Sequence, residues 1–389
     1  MNRKISSCLP VLFVTAGLFG AAGNSSSNTK EVIQDCAPLC YASPIFECES
    51  PWEVYGGAIY QQFRTQSQEI AVLTQDTAQQ PFNQTNTTGY YPAPSYPLNG
   101  TGIENMEDFG WGARIGFGYR TWYDDWKVNL RYTYLKITTN YPSPNLSYGM
   151  GYNPSGYANQ IINGQTLLPS PQFQPSGGQV SQRSLFRNLD YGVSTIFNDV
   201  NISISRPTKI SKDLEITTYL GFDVSFFTRR ANPVFTNAFD GGYALSQGLF
   251  FQNYQKISWW GVGPMIGLHS SWYLAYDWSF YGDAFTSLEY GLSSSRTSTF
   301  SRTSQQTTTR EATLQSFLYQ YSPNYHFALG FSWMKILEEF DTKITFNIGY
   351  ETTYFSQVIK PLIPELNYKT TNGAGLGLQG LVLQGTVDF

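Results

Sequence analysis

Residues able to perform acid–base or nucleophilic chemistry are scarce in this sequence, which has only 2 histidines among 389 residues. His269 and Ser271 stand two positions apart, which would place them on one face of a strand, and Asp283 follows on the next alternating segment. Serine, histidine and an acid are the parts of a nucleophilic triad. Residues two apart on a strand are often aligned by chance, and His326 shows no acid partner, so we expect ordinary polar residues and no enzyme.

Cysteines form the second reactive set. Beyond the N-terminal segment that holds Cys8, the chain has Cys36, Cys40 and Cys48. In an oxidising compartment an odd number gives one internal bridge plus one thiol available to a partner chain, or several cross-links between chains. A zinc site would need a fourth ligand, and no histidine lies near in the sequence. We therefore predict disulfide cross-linking, with no metal and no cofactor.

The N-terminal pattern is typical of an exported protein. Two basic residues precede an apolar run from Leu9 to Phe19, and a small-residue site ends at Ala22. The run is shorter than the ~20 residues of a spanning helix, so we predict a cleaved signal peptide over residues 1–22. A periplasmic cysteine-containing segment would follow over residues 23–51. The net charge of -4 gives no support for nucleic-acid binding.

The elements that must position these residues are strands. From Phe109 to Tyr119 apolar residues occupy every second position, with glycine or arginine between them, and the alternation resumes from Trp126 to Tyr134. Period two predicts two strands joined by a tight turn. One face is aromatic at its ends and aliphatic or small in its middle, while the other carries glycine and charge. This pattern is typical of a hairpin with lipid outside and water inside.

The same alternation recurs over residues 52–389, where polar loops and short turns alternate between long segments. Charged residues make up only 13% of the chain, against roughly 25% in soluble domains. We predict an all-β fold, a transmembrane antiparallel β-barrel of about 10 long strands (range 10–16), with short turns on the periplasmic side. The predicted loops are residues 74–108, 137–182, 229–255 and 293–309.

Two local irregularities are expected within the strands. The apolar face that includes Leu189 and Val193 changes register near Asn198 and resumes at Val200, which predicts a β-bulge. Pro323 cannot donate a ladder hydrogen bond, so we expect a bulge or a position at the rim of the sheet there.

Three stretches of the chain resemble one known family. They are the hairpin around WYDDW, the segment GVGPMIGLHSSWYLAYDWSFYGDAFTSLEYG and the ending GLGLQGLVLQGTVDF. From about Trp52 to Phe389 the sequence is similar to the Legionella-type major outer membrane proteins, a family also expanded in environmental chlamydia-like bacteria. The resemblance implies an outer-membrane β-barrel with porin-like and surface-exposed roles. It also implies that the terminal Phe389 is the signal read by the barrel-assembly machinery.

If the apolar faces meet lipid, the charged residues point into the lumen. The basic residues come from two adjacent strands and the acidic ones from later strands: Arg114, Arg120, Lys127 and Arg131 against Glu215, Asp223, Asp283, Glu289 and Glu351. Opposed charged walls would select polar solutes at a water-filled constriction. About ten strands lie close to the ~8 at which side chains fill a barrel, so these charges could instead pair across a filled lumen. Both interpretations stay open.

Three functions are consistent with this sequence. The first is porin-like passive transport of small polar solutes, with long loops exposed at the cell surface. The second is a non-conducting surface adhesin or a disulfide-cross-linked structural protein of the envelope, and the third is a barrel hydrolase. The expected partners are outer-membrane lipid, the barrel-assembly machinery, other envelope proteins through disulfides, a host surface and further copies of the chain.

Overall fold

The computed structural model is a closed antiparallel β-barrel. It describes residues 51–65, 69–76, 100–104, 107–121, 125–141, 148–151, 161–169, 185–239, 250–274, 277–302, 309–337, 342–360, 362–363, 368–369 and 373–389. The predicted signal peptide and the three cysteines Cys36, Cys40 and Cys48 lie outside these ranges. Within them, no helix has the length and hydropathy needed to cross a membrane.

The described residues form sixteen strands. In chain order they are β1 (Trp52–Thr65), β2 (Glu69–Asp76), β3 (Gly100–Glu104), β4 (Phe109–Arg120), β5 (Lys127–Tyr141), β6 (Tyr148–Gly151), β7 (Ile161–Pro169), β8 (Leu185–Lys209), β9 (Leu214–Phe239), β10 (Phe250–Tyr273), β11 (Trp278–Arg302), β12 (Thr309–Leu337), β13 (Thr342–Ile359), β14 (Leu362–Ile363), β15 (Tyr368–Lys369) and β16 (Ala374–Asp388). Ten of them close the barrel, in the order β8-β5-β4-β1-β16-β13-β12-β11-β10-β9, and β9 pairs with β8. The predicted count of about ten long strands is thus confirmed.

The strands of the barrel are staggered and therefore tilted. If directly paired residues are followed once around the ring, the ladder that leaves β12 at Tyr321 returns to the same strand at Trp333, twelve positions further along. Stagger and strand number together fix the tilt, which is roughly 35–45° in closed barrels. Ten strands at such a tilt enclose a narrow lumen.

The two ends of the barrel differ in their connections. Short turns join β4 to β5, β8 to β9, β10 to β11 and β12 to β13 at one end, here called the turn end. Trp52 and Phe389 pair there through two backbone hydrogen bonds of 2.9 and 3.2 Å. Asp125 and Asp277 in two of the turns have positive φ values of 54° and 67°, a conformation that a short polar side chain tolerates. The strand ends that the remaining connections join lie at the opposite end, here called the loop end.

The predicted loops are too long, because strands occupy part of each of them. β9 and β10 extend into residues 229–255, and β11 continues through the serine- and threonine-rich run to Arg302. Residues 74–108 and 137–182 likewise contain strand segments, among them β6 and β7. Ser295 and Thr297 are buried inside the barrel, where small hydroxyl side chains fit a strand that is sheltered on its inner face. A polar stretch of sequence was therefore not sufficient to predict a loop.

The bulge expected near Asn198 does not occur, because β8 keeps a continuous register with β5 and β9 through that residue. Leu189 and Val193 point inward and are buried, whereas Ile202 points outward and is exposed. From the turn end of β8 toward its loop end, the apolar side chains therefore change from the outer face to the inner face without a break in the strand. Pro323 pairs with Leu288 of β11, and pairing of β12 with β13 begins only at the next residue. Proline thus lies where that ladder ends, as its missing N–H requires.

Candidate functional site

The outer surface nearest the turn end forms a lipid-facing belt. Its exposed side chains are aliphatic or aromatic, for example Ile115, Phe222 and Phe331. Four tryptophans mark its lower edge beside the short turns, with exposures of 40–57%: Trp52, Trp126, Trp272 and Trp278. Tryptophan is enriched where a membrane-spanning barrel meets the interface. The belt therefore locates the membrane on the half of the barrel that includes the turn end.

Nine charged residues lie on the inward rows of their strands: Arg114, Arg120, Lys127, Arg131, Glu215, Asp223, Asp283, Glu289 and Glu351. The best-formed ion pair joins Arg114 of β4 to Glu351 of β13, and both side chains are more than 90% buried. The two guanidinium nitrogens donate hydrogen bonds of 2.7 and 2.8 Å to the two carboxylate oxygens. Gln61 donates to the same carboxylate, and Arg114 Nε donates to Thr133 Oγ1 at 3.1 Å. Arg114 of the predicted basic wall and Glu351 of the predicted acidic wall are therefore in direct contact inside the barrel.

A second network runs from β5 to β12. Arg131 Nε donates to Asn201 Oδ1 at 2.6 Å, and Asn201 Nδ2 donates to Asp223 Oδ1 at the same distance. Ser287 and Asn324 donate to the other oxygen of Asp223 at 2.7 and 2.8 Å. Five strands are linked by four hydrogen bonds, so this level of the lumen is also filled by side chains.

Glu289 anchors a third network near the middle of the lumen. Its carboxylate accepts a 2.5 Å hydrogen bond from Ser225 and one of 3.2 Å from the indole of Trp259. The other carboxylate oxygen of Glu289 and Oδ1 of Asp199 are buried without a hydrogen-bond partner in the described part of the chain. Such atoms are costly in an apolar interior.

The turn end holds the more exposed ion pairs. Lys127 pairs with Glu53, and Lys343 Nζ lies 3.4 Å from the carboxylate of Asp388. Arg120 and Glu215 occupy inward positions at the same end, on β4 and β9. These residues form a charged mouth that reaches solvent.

Asp283 lies between both histidines of the chain. His269 Nδ1 is 3.7 Å from Oδ1 of Asp283, and His326 Nε2 is 3.7 Å from its Oδ2. Ser271 Oγ is 3.2 Å from Nε2 of His269. The expectation that His326 has no acid partner is therefore wrong, because the β11–β12 register brings two residues distant in sequence together. Among the described residues, no group of three or more His, Cys, Asp or Glu side chains is placed to hold a metal ion.

An apolar layer crosses the lumen on the loop-end side of these networks. Phe197 of β8 and Phe355 of β13 lie on opposite sides of the ring, and their ring centroids are 5.6 Å apart. The layer consists of Ile59, Phe63, Leu135, Ile137, Phe197, Phe227, Ile257, Trp259, Phe355, Val358, Ile359, Leu376, Leu378 and Val382. Sequence reasoning missed it, although the change of apolar face in β8 was its signal. Side chains from opposite walls of the barrel are in contact at this level.

A buried ion pair lies near the apolar layer, beside the connection that precedes β4. Arg229 Nε donates to Glu107 at 3.0 Å, and an Arg229 Nη atom donates to the hydroxyl of Tyr191 at 3.1 Å. Gln62 donates to the backbone oxygen of Glu107 at 2.6 Å. Burial raises the pKa of the Glu107 carboxyl, while the Arg229 guanidinium lowers that pKa. Sequence reasoning missed this pair because Arg229 was assigned to a loop.

A closed antiparallel barrel with a lipid-facing apolar belt and a polar interior is an outer-membrane β-barrel. The sequence matches the family described as "Legionella pneumophila major outer membrane protein precursor" over residues 45–389, and the chain belongs to this family. The resemblance noted in the sequence is thereby confirmed. No curated protein matches the chain.

Solved structures of outer-membrane barrels show a distant likeness. The outer membrane protease OmpT from Escherichia coli has a TM-score of 0.37 and 9% identity, with 89% of this chain and 99% of that chain covered. A mutant of the monoaromatic hydrocarbon channel TodX has a TM-score of 0.29 and 8% identity, with 88% and 91% covered. A FadL homologue from Pseudomonas aeruginosa has a TM-score of 0.23 and 9% identity, with 88% and 90% covered.

Proposed function

We propose that this outer-membrane barrel is a narrow, porin-like passive channel for ions and small polar solutes, shut in this conformation by the apolar layer. The observation that supports the proposal is the division of the lumen. Within the lipid-facing belt the lumen is lined by charged and hydrogen-bonding groups such as Arg114, Glu351 and Asp223, which suit polar contents. A layer of apolar side chains follows toward the loop end. Hydrophobic constrictions of this kind gate channels by excluding water.

The size and charge of the lumen define the solutes. Ten strands enclose a much narrower space than the roughly 16–18 strands of general porins, so only ions and solutes of a few heavy atoms would pass. Positive and negative side chains would both interact with a passing solute. The channel would therefore favour polar solutes in a particular orientation. The channel would conduct only when the apolar layer and the ion pairs move apart.

Single-channel recording in planar bilayers tests this proposal, and two adjacent phenylalanines supply the variants. Phe227 belongs to the apolar layer, whereas Phe226 points outward and is 42% exposed. We expect the wild-type barrel to show small, infrequent conductance steps. Phe227→Ala should raise the fraction of time spent open several-fold, because it removes a ring from the obstruction, and Phe226→Ala should leave it unchanged. Folded barrels that never conduct, with or without Phe227, would rule the channel out.

The height of β8 to β12 favours a second function, presentation of a surface. A tilted strand needs about 9–11 residues to cross a membrane, whereas these five strands have 24–29 residues each. Their outward positions toward the loop end carry polar residues such as Arg230, Asn232 and Lys256. They would form a wall outside the membrane that serves as an adhesin or envelope scaffold.

This second function predicts binding without conductance. Replacing residues 142–184 by a short Gly-Ser linker should then abolish attachment to host cells or envelope partners while the barrel still folds. The cross-linking part depends on Cys36, Cys40 and Cys48, so non-reducing electrophoresis of whole envelopes should show disulfide-linked species. If electrophoresis shows only the monomer, the cross-linking part of this second function is wrong.

A further inference from the structure

Ser271, His269 and Asp283 lie together on the inner face of β10 and β11, near the turn end. Ser271 Oγ is 3.2 Å from Nε2 of His269, and Nδ1 of the same ring is 3.7 Å from Asp283. His269 and Asp283 are directly paired across the two strands. Nε2 of the His269 imidazole thus faces a hydroxyl, and Nδ1 of the same ring faces a carboxylate. This is the order of contacts in a serine nucleophile, its general base and the acid that orients the base.

Further contacts hold the acid and the imidazole in place. The hydroxyl of Tyr219 donates to Asp283 Oδ1 at 3.0 Å, and His326 approaches the other oxygen of that carboxylate. The ring of His269 stacks on Tyr281, with the planes 22° apart and the centroids 6.0 Å apart. A reactive set is effective only when surrounding residues fix its geometry in this way. Chance alignment along one strand would not supply partners from β9 and β12.

The set is accessible, unlike the deeper ion pairs. The side chain of His269 is 40% exposed, whereas those of Arg114 and Glu351 are 8% and 4% exposed. Backbone groups around Ser271 belong to ladders with both β9 and β11, so they are engaged in pairing and do not form an oxyanion hole. Without such donors the tetrahedral intermediate of acyl transfer is less stabilised, so the substrate must have a good leaving group. The site therefore suits esters, whose alcohol leaves readily, and not amides.

We propose that the turn-end mouth of the barrel hydrolyses small carboxylic esters, with Ser271 as nucleophile, His269 as general base and Asp283 as a positioning residue. Ser271 Oγ bonds to the carbonyl carbon while its proton passes to Nε2 of His269. The bond from that carbon to the alcohol oxygen breaks, and the alcohol leaves with the proton. Water then attacks the acyl-serine, His269 takes its proton and returns it to Ser271, and the carboxylic acid is released. The activity does not require the lumen to conduct.

The test uses the full chain folded in detergent, with p-nitrophenyl acetate as substrate and a fluorophosphonate as a covalent probe. Ser271→Ala should lower the hydrolysis rate at least ~100-fold and abolish labelling. Ser270→Ala is the matched control, since this neighbouring hydroxyl points away and contacts the Gly282 carbonyl at 3.3 Å; it should keep both. Folding is judged for each variant by heat-modifiable electrophoretic mobility.

The positioning role of Asp283 has its own readout. Asp283→Asn should lose hydrolysis at neutral pH and regain part of it as the pH rises, because a stronger base in solution can replace the oriented imidazole. A merely structural defect would lower the rate equally at every pH. A folded wild-type barrel that neither hydrolyses the ester nor takes the probe overturns the proposal, as does Ser271→Ala with wild-type rates. If Ser271→Ala does not fold, mass spectrometry decides: a wild-type adduct on Ser271 supports the site, and one elsewhere refutes it.

Discussion

Buried ions in this barrel are held by partners from distant strands. Arg114 and Glu351 belong to strands separated by two others in the ring, yet their two hydrogen bonds are 2.7 and 2.8 Å long. Burial removes both groups from water, and the attraction between them roughly repays that cost. Removing one partner is therefore much worse than removing both.

Substitutions at this pair should show that asymmetry. Glu351→Gln keeps the shape of the side chain but leaves the buried Arg114 charge without its counter-ion, so we expect a loss of about 3–5 kcal/mol in the free energy of unfolding. The double variant Arg114→Met with Glu351→Met should lie within about 1 kcal/mol of the wild type. Urea unfolding in lipid vesicles, followed by tryptophan fluorescence, measures both.

An exposed pair supplies the control for this measurement. Lys335 and Asp277 are 3.9 Å apart, and both side chains are more than half exposed. Lys335→Met should cost at most about 1 kcal/mol. Equal losses for Lys335→Met and Glu351→Gln would contradict the role assigned to burial.

Strands were predictable here wherever lipid faces them, because one face must then be continuously apolar. Alternation located the hairpin from Phe109 to Tyr134 and the inward rows that carry Arg114 and Glu351, but not the buried Arg229. It failed in β8 to β11 toward the loop end, where the environment inverts and apolar side chains such as Phe235 and Phe251 point inward. The alternation of outward apolar residues is interrupted there, although the strand continues. Register across the ring, which brought His326 to Asp283, is not encoded in the spacing of either strand.

Close approach of neighbouring strands explains part of the glycine content on the inner face. A Cβ added at Gly263, on the inner face of β10, would collide with the backbone carbonyl of Leu288 in β11, whereas one added at Gly56, on the outer face of β1, would meet open space. Gly263→Ala should therefore lower the free energy of unfolding by about 1–3 kcal/mol. Gly56→Ala should be neutral or stabilising by up to about 1 kcal/mol. Urea titrations of the two variants decide between them, and an equal effect would show that inter-strand distance is not the cause.

The whole barrel is asymmetric along its axis. The turn end carries the tryptophans, the charged mouth and the polar networks, while the loop end carries the apolar layer and the tall strands β8 to β12. A membrane-spanning barrel of this kind has short periplasmic turns and longer outer connections. The polar lumen would then open toward the periplasm and be closed toward the outside. Channel gating and ester hydrolysis would be served by different levels of one lumen.

This orientation can be tested on intact cells with an amine-reactive reagent that does not cross membranes. Lys256 lies on the outer face of β10, four residues beyond Trp260 toward the loop end, and Lys212 is exposed in the turn between β8 and β9. Mass spectrometry should find Lys256 modified on intact cells and Lys212 modified only after the outer membrane is permeabilised, because the lipid belt separates the two positions. Lys212→Arg provides the matched control for assigning the turn-end peptide. Modification of Lys212 on intact cells, with Lys256 protected, would show that the barrel has the opposite orientation. The charged mouth, with Ser271, would then lie at the cell surface.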